Sequence, residues 1–495
     1  MWIEEELNKD ATDAQRTIHA LTRDYRSRHS SSSSPRTRIP ENKEKTTEFL
    51  KQFYDRLRNA EYNIYQKMTP DNNATEASSS SSSRLSFQLT EVKNSATDLP
   101  HPRILSELQR TYDIRRSRGG GVGGVGGVGG VGDGDDDRYI PYKVYEYIRE
   151  KSEYCIRFQA NIHGRTVSLF FITFPESHIS VCQKHGRQRG DTQTSANVCA
   201  SEIAVYQLYA YKVFIWLFIV TGLANKECSE KGLNVYFYMT PFKKQRPSPH
   251  ASGDDAVISA IHANTGLTRN CETHGEIVIY RTEEWFKVFI HESMHNFNMD
   301  FIDLDLKSAN EQLRRTFCIP HDDILLFETY TETWARIINT IFNTYFQDHT
   351  GASQTHFIRA VREKLADNAM FYAYQAVKVL DIMELKYAHI TVQSAENTEV
   401  CRKQYAEDTN VYAYYVLGGI LSVYALPFIS WCCENNSGSS IRFSRNQGNL
   451  PRFVDFIERA ARDPVLLSII SFIENASSVA HINNVVKNTM RMTIE

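Results

Sequence analysis

The pentapeptide His291-Glu292-Ser293-Met294-His295 sets two imidazoles four residues apart with a carboxylate beside the first. On a helix, residues i and i+4 share a face, so both rings can reach one metal ion. Glu292 projects about 100° round the axis toward the space beside that ion. Two ligands and a base within one turn are the side-chain set of a hydrolytic metal site. With 16 histidines in 495 residues, chance supplies roughly 0.03 such matches, so the surrounding elements must decide what the motif means.

A metal needs a third protein ligand. Phe301 stands six residues after His295, which excludes the metzincin spacing with a third His there. A carboxylate on a second helix is the other common solution. Pro320-His321-Asp322-Asp323 opens such a helix with a proline and two N-terminal aspartates, and the apolar pattern carries it to about Phe346. Glu328 and Glu332 lie on this largely apolar helix, where a carboxylate is costly without a cation or strong donors. Glu332 is the expected ligand, because Ala335 leaves room for a second helix to approach. Glu328 is the alternative ligand or the group that steadies a ligating imidazole. Asp300, five residues past His295, is a further candidate for either role.

His291-Glu292-Ser293-Met294-His295, followed 37 positions later by Glu332 in a Glu-x-x-Ala setting, resembles the gluzincin branch of the zincin metallopeptidases. The resemblance covers roughly residues 205–346. It implies a zincin-like α+β core of a strand, the H-E-x-x-H helix and a Glu-bearing helix, with Zn²⁺ held by His291, His295 and Glu332. It further implies peptide hydrolysis, in which zinc acidifies a water while Glu292 takes its proton and delivers it to the leaving amine. The Asn and Asp that often flank the third ligand are Thr331 and Arg336 here, a departure from the subfamily pattern. The stretch from Arg281 to Phe301, with serine and glycine tracts elsewhere, is also similar to uncharacterised metallopeptidase-like proteins of large DNA viruses. A donor for the developing oxyanion is still required, and Tyr412, Tyr414, Tyr415 and His389 are candidates. The alternative function is a zincin-like scaffold that binds partners without turnover; an intact Glu292 argues against it.

The elements that must position these groups follow from periodicity. Gly275 to Tyr280 alternates and is β-branched, so it reads as a strand, and Thr282 then offers an N-cap ahead of Glu283 and Glu284. Trp285, Phe286, Phe289, Ile290 and Phe297 bury one side of the helix that follows. The segment His262 to Thr268 could form a sheet edge for an extended peptide or a loop over the cleft, although its Asn and Gly favour an ordinary turn. Upstream, Tyr154 to Ala160 and Val167 to Phe174 around His163-Gly164 read as a hairpin. A helix over 202–223 and a strand over 234–239 come next, and several helices run from about Thr355 to Met492.

Composition divides the chain into 1–137, charged helices and a low-complexity tail; 138–350, sheet and metal-site helices; and 351–495, a helical lobe. Ser30 to Ser34, Ser78 to Ser83 and the Gly-Gly-Val repeats of Gly119 to Gly132 cannot bury a core. Asp133 to Asp137 reads as a solvated linker rather than a calcium loop, and Cys182-Gln183-Lys184-His185 as a surface loop. Nine cysteines without C-x-x-C pairs predict no disulfide framework and a reducing, cytoplasmic location, the host cytoplasm or virion if the chain is viral. The polar first twenty residues show no signal peptide. Val411 to Cys433 is apolar enough to span a membrane, but Gly418, Gly419, Pro427 and its tyrosines favour a buried helix, and Val213 to Leu223 is too short. A formal net charge of −3 gives no argument for nucleic acid. The expected partner is a peptide or protein substrate.

Overall fold

The computed structural model describes residues 2–29, 35–68, 85–103, 105–106, 140–175, 200–248, 251–318, 323–347, 353–476 and 482–494. The serine and glycine tracts, Asp133 to Asp137, the Cys182 to His185 motif and Pro320 to Asp322 lie outside them, and the helix expected to open at Pro320 begins only at Leu326, after the non-helical residues 323–325. Among the described residues the architecture is α+β, built on one mixed six-stranded sheet with helices before, between and after its strands.

The strands are β1 (Ser86–Glu91), β2 (Tyr154–Ile162), β3 (Arg165–Thr173), β4 (Gly232–Tyr238), β5 (Gly266–Thr268) and β6 (His274–Ile279), in spatial order β1-β2-β3-β4-β6-β5. The β2–β3 hairpin turns at His163-Gly164, where both residues have positive φ, and Tyr154 pairs with Thr173 at its open end. β3, β4 and β6 run parallel, while β5 lies antiparallel on β6 at the sheet edge. Parallel neighbours need a crossover, and the helix Ala200–Thr221 supplies the one from β3 to β4.

Alternation sorts the strand residues between two apolar layers. Val235, Phe237, Ile277 and Ile279 face the main core, whereas Tyr236, Tyr238, Val278 and Tyr280 face a smaller one under the helix Tyr142–Lys151. The main core holds the crossover helix, the motif helix Trp285–Asn296, the carboxylate helix Leu326–Gln347 and the C-terminal helices, from Ala14 to Ile494. The segment expected as a tail therefore contributes structure: helix Lys43–Met68 buries Phe49, Leu50, Phe53, Leu57 and Ile64, and β1 extends the sheet.

Several expectations are corrected. Cys228 and Cys271 form a disulfide, their Cα atoms 4.4 Å apart, because β4 and β6 are neighbours and bring the turns that precede them together. A separation of 43 residues hides that pair from any search for close cysteine spacing, and the cysteine pattern no longer argues for a reducing compartment. The crossover helix lies within two residues of the expected 202–223, but its apolar part is longer than Val213 to Leu223: Ile203–Thr221 is long and apolar enough to cross a membrane by composition. In the fold it packs on the sheet, with Val213, Phe214, Ile215 and Trp216 fully buried. The apolar stretch after Val411 is a π-helical turn, Tyr412–Leu417, continued by Gly418–Val423 and bent by 91° to Ala425–Asn435.

Candidate metal centre

The motif helix starts at Trp285, two residues later than a Thr282 cap implies. Its N-cap is Glu284, in the left-handed region at φ 57°. The two glutamates at its start are buried rather than solvated. Glu283 accepts the Lys244 backbone N–H; Glu284 pairs with Lys244 Nζ at 2.9 Å and accepts the backbone N–H groups of Met492 and Thr493. Residues Phe286 to Asn296 are buried on every side, so a helix that reads as one-sided is enclosed. Trp216 Nε1 donates to Ser293 Oγ at 2.7 Å and ties the helix to the crossover helix, while Phe286 and Phe342, 5.2 Å apart, tie it to the carboxylate helix.

His291 Nε2 and His295 Nε2 lie 3.0 Å apart, and each stands 3.1 Å from Glu328 Oε2. His291, His295 and Glu328 form a group that could hold a metal ion. The donor set fits one. Two nitrogens and a carboxylate oxygen so close together are relieved by a shared cation. A tetrahedral ion with bonds of about 2.0–2.2 Å spans ligand pairs of about 3.3–3.6 Å, so the trio would open by only a few tenths of an ångström. Burial works against a charged His295 ring, yet Glu328 and Asp300 raise its pKa well above the ordinary value. Burial likewise opposes charge on His291, and Glu328 and Glu332 outweigh it. Burial pushes Glu328 up, but the two imidazoles hold it far below the usual carboxylate range.

The expected ligand Glu332 stands elsewhere. One helical turn beyond Glu328, it is 1 % exposed and accepts Lys287 Nζ at 2.9 and 3.0 Å and Arg336 Nε at 2.9 Å. Its Oε2 lies 3.1 Å from His291 Nδ1, out of line for a hydrogen bond but close enough to orient the ring. Burial raises its pKa, and Lys287 and Arg336 bring it well below the ordinary value. The sequence reading missed Lys287. A lysine one turn before His291 inside an apolar run was the available sign that an acidic group would lie opposite. Asp300 is fully buried, hydrogen-bonds His295 Nδ1 and accepts the Ile302 N–H, so it fixes which nitrogen of that ring faces Glu328.

Glu292 is 8 % exposed; burial raises its pKa, with His291 and His295 pulling the other way. It lines a cleft of about 550 Å³ together with both histidines, Glu328, β5 and Tyr414. Of the four candidates for an oxyanion donor, only Tyr414 borders this cleft, its ring 5.9 Å from that of His291. Tyr415 donates to Met490 O, Tyr412 is buried elsewhere, and His389 accepts the Lys386 N–H at its own helix start. Tyr414 projects from the π-helical turn, an irregularity common at functional positions.

Of the segment His262 to Thr268, favoured as a turn, the last three residues form the edge strand β5, directly above the motif helix, and the first two end the short helix Ala260–Ala263. Gly266 makes this approach possible: a Cβ there would sit 2.9 Å from both Glu292 Cγ and Val288 Cγ1. Asn296 Nδ2, one residue past the second histidine, donates to Thr268 Oγ1 at 3.2 Å and anchors the strand to the helix end. Thr265 O accepts the Tyr280 N–H, so alternation along an antiparallel pair turns the backbone groups of Gly266 and Thr268 outward, toward the open edge. No protein-family model, curated protein or solved structure matches the chain, and the gluzincin resemblance rests on the motif and its surroundings.

Proposed function

We propose that the protein is a zinc-dependent metallopeptidase of zincin-like fold, with His291, His295 and Glu328 as ligands and Glu292 as general base. The observation that carries this reading is the convergence of two imidazole nitrogens and one carboxylate oxygen within 3.1 Å, in a cleft that also holds an unligated, buried carboxylate. Strand, H-E-x-x-H helix and Glu-bearing helix occur in the order the resemblance leads one to expect, with the ligand one turn earlier than Glu332. Imidazole and carboxylate donors suit zinc. When bound, the ion supplies Lewis acidity to a water and to the scissile carbonyl.

The chain's own groups do the rest. An extended peptide pairs with the outward backbone groups of Gly266 and Thr268, which lays its carbonyl over Glu292. Glu292, made more basic by burial, accepts the proton of the attacking water and hands it to the departing amine. The Tyr414 hydroxyl, kept protonated by burial and the nearby Glu328 charge, donates to the developing oxyanion. Asp300 and Glu332 hold the two rings in place. The test combines elemental analysis with cleavage of a peptide library. One equivalent of zinc, with hydrolysis lost in Glu292→Gln while the metal stays bound, is expected. Stoichiometric zinc with no hydrolysis of any peptide would leave a non-catalytic scaffold.

A further inference from the structure

The π-helical turn that carries Tyr414 is tied to the carboxylate helix by contacts that the proposed mechanism does not use. In a regular α-helix the Gly418 N–H would bond the carbonyl of Tyr414, four residues back. The π turn inserts a residue and diverts that N–H to Ala413 O and Tyr415 O. Two side chains of the carboxylate helix reach the consecutive carbonyls: Thr329 Oγ1 donates to Ala413 O at 3.1 Å, and Arg336 Nη2 to Tyr414 O at 2.9 Å. Thr329 directly follows the proposed ligand Glu328, so the main chain at Tyr414 is held in register with the two histidines.

Arg336 is 2 % exposed, and its guanidinium meets three elements at once. Nε donates to Glu332 Oε1 at 2.9 Å, Nη1 to Ser422 Oγ at 3.0 Å in the helix Gly418–Val423, and Nη2 to the Tyr414 carbonyl, while Cζ lies over the Tyr372 ring, 4.9 Å from its centre. Ser422 Oγ spends its own proton on Gly418 O at 2.6 Å, which leaves it an acceptor for Nη1. Neutralising Glu332 does not require this arginine, because Lys287 Nζ already meets both oxygens of that carboxylate at 2.9 and 3.0 Å. What the second cation adds is direction. A planar fork with donors at fixed angles ties Glu332, which orients His291, to the carbonyl of Tyr414; a lysine ammonium, a compact point charge, has no such span.

We propose that Arg336 is a positioning residue for the hydrolytic step: through the Tyr414 carbonyl and Glu332 it fixes the Tyr414 hydroxyl relative to the His291 ring and the ion that ring would hold. This rests on the reading of the cleft as a peptidase site with Tyr414 as oxyanion donor, and a readout without turnover separates the two. The kinetic test compares Arg336→Lys, Tyr414→Phe and the double variant. Loss of an oxyanion donor lowers kcat by about 10²–10³-fold, so Tyr414→Phe sets the scale. Arg336→Lys is expected to lower kcat at least about tenfold with KM nearly unchanged and zinc still stoichiometric, yet to add no more than about twofold once residue 414 is phenylalanine. Ser422→Ala, which loosens one arm of the fork and keeps the charge, should act in the same direction and less strongly. The second readout is a fluorotyrosine at position 414, whose fluorine resonance should differ between the unaltered chain and Arg336→Lys without metal and should respond less to added zinc in the variant. Losses that multiply independently in the double variant, an unchanged kcat in both Arg336→Lys and Ser422→Ala, or an identical fluorine resonance and zinc response in Arg336→Lys would overturn the proposal. A fluorine signal that depends on Arg336 in a chain that cleaves no peptide would overturn the peptidase reading and leave the positioning contact standing.

Discussion

At the scale of single residues, the site separates two carboxylates that lie one helical turn apart on the same face. Glu328 faces both Nε2 atoms, whereas Glu332 is neutralised by Lys287 and Arg336. Their removal should differ accordingly. Under the proposed function Glu328→Gln deletes a ligand and should reduce zinc affinity by more than the roughly 10–100-fold expected for Glu332→Gln or Asp300→Asn, which only loosen a ring. Competition against a chromogenic chelator measures this; equal losses for Glu328→Gln and Glu332→Gln would return the ligand assignment to either residue. Gly266→Ala tests a different atom. Its added methyl, 2.9 Å from Glu292 Cγ, should cut turnover while zinc stays bound, because it displaces the base and not the ligands. Full activity in that variant would show that β5 and the motif helix are further apart in solution.

At the scale of elements, the Cys228–Cys271 disulfide closes a loop containing β4 and β5 and ends beside Asn296, whose carbonyl accepts the Cys271 N–H. Cross-linking residues 43 positions apart constrains the unfolded chain, and Cys228→Ser with Cys271→Ser should cost about 2–4 kcal/mol in urea unfolding. An unchanged midpoint would mean the pair is reduced in the working protein. How far the sequence discloses these elements depends on whether the signal is local. The hairpin, the crossover helix, β4, β6 and the motif helix each carry periodicity within their own residues, and all are readable. β5 is three residues long and is held by β6 and Asn296, so its identity as a strand comes from its pairing and not from its own residues, and Gly266 with the preceding Asn264 points to a turn. The same limit governs the site. Two histidines four apart imply convergence, but the choice between Glu328 and Glu332 turns on helix rotation and on Lys287, neither of which spacing specifies. Glu283 and Glu284 read only as acidic residues at a helix start, and nothing local shows that Lys244 and residues 492–493 close over them.

At the scale of the whole molecule, one continuous core links residue 14 to residue 494, and composition hides this because charged helices with few apolar positions resemble a tail. Deleting residues 1–68 should therefore expose the surface now covered by Phe49, Leu50, Phe53 and Leu57 and lower the unfolding midpoint; an unaltered midpoint would restore the tail reading. The metal of the proposed site would couple to this global stability through protons. In metal-free protein the raised pKa values of His291 and His295 favour the folded state below the ordinary histidine pKa, and that contribution is lost as pH rises through the raised values. Glu328, held low, contributes above the ordinary carboxylate pKa and loses its contribution as pH falls through its depressed value. The metal-free site is thus most stabilising between those limits, with charged rings where a cation would otherwise sit. Zinc requires neutral imidazoles, so binding releases protons, and affinity should rise about tenfold per pH unit for each proton displaced. The stabilisation conferred by zinc, RT ln(1 + [Zn]/Kd), should accordingly grow between pH 6 and pH 8, read as the widening gap in melting temperature between zinc-loaded and chelator-treated protein. A gap independent of pH would mean that the two rings do not exchange protons for the ion, and with it the shared-cation geometry would lose its chemical meaning.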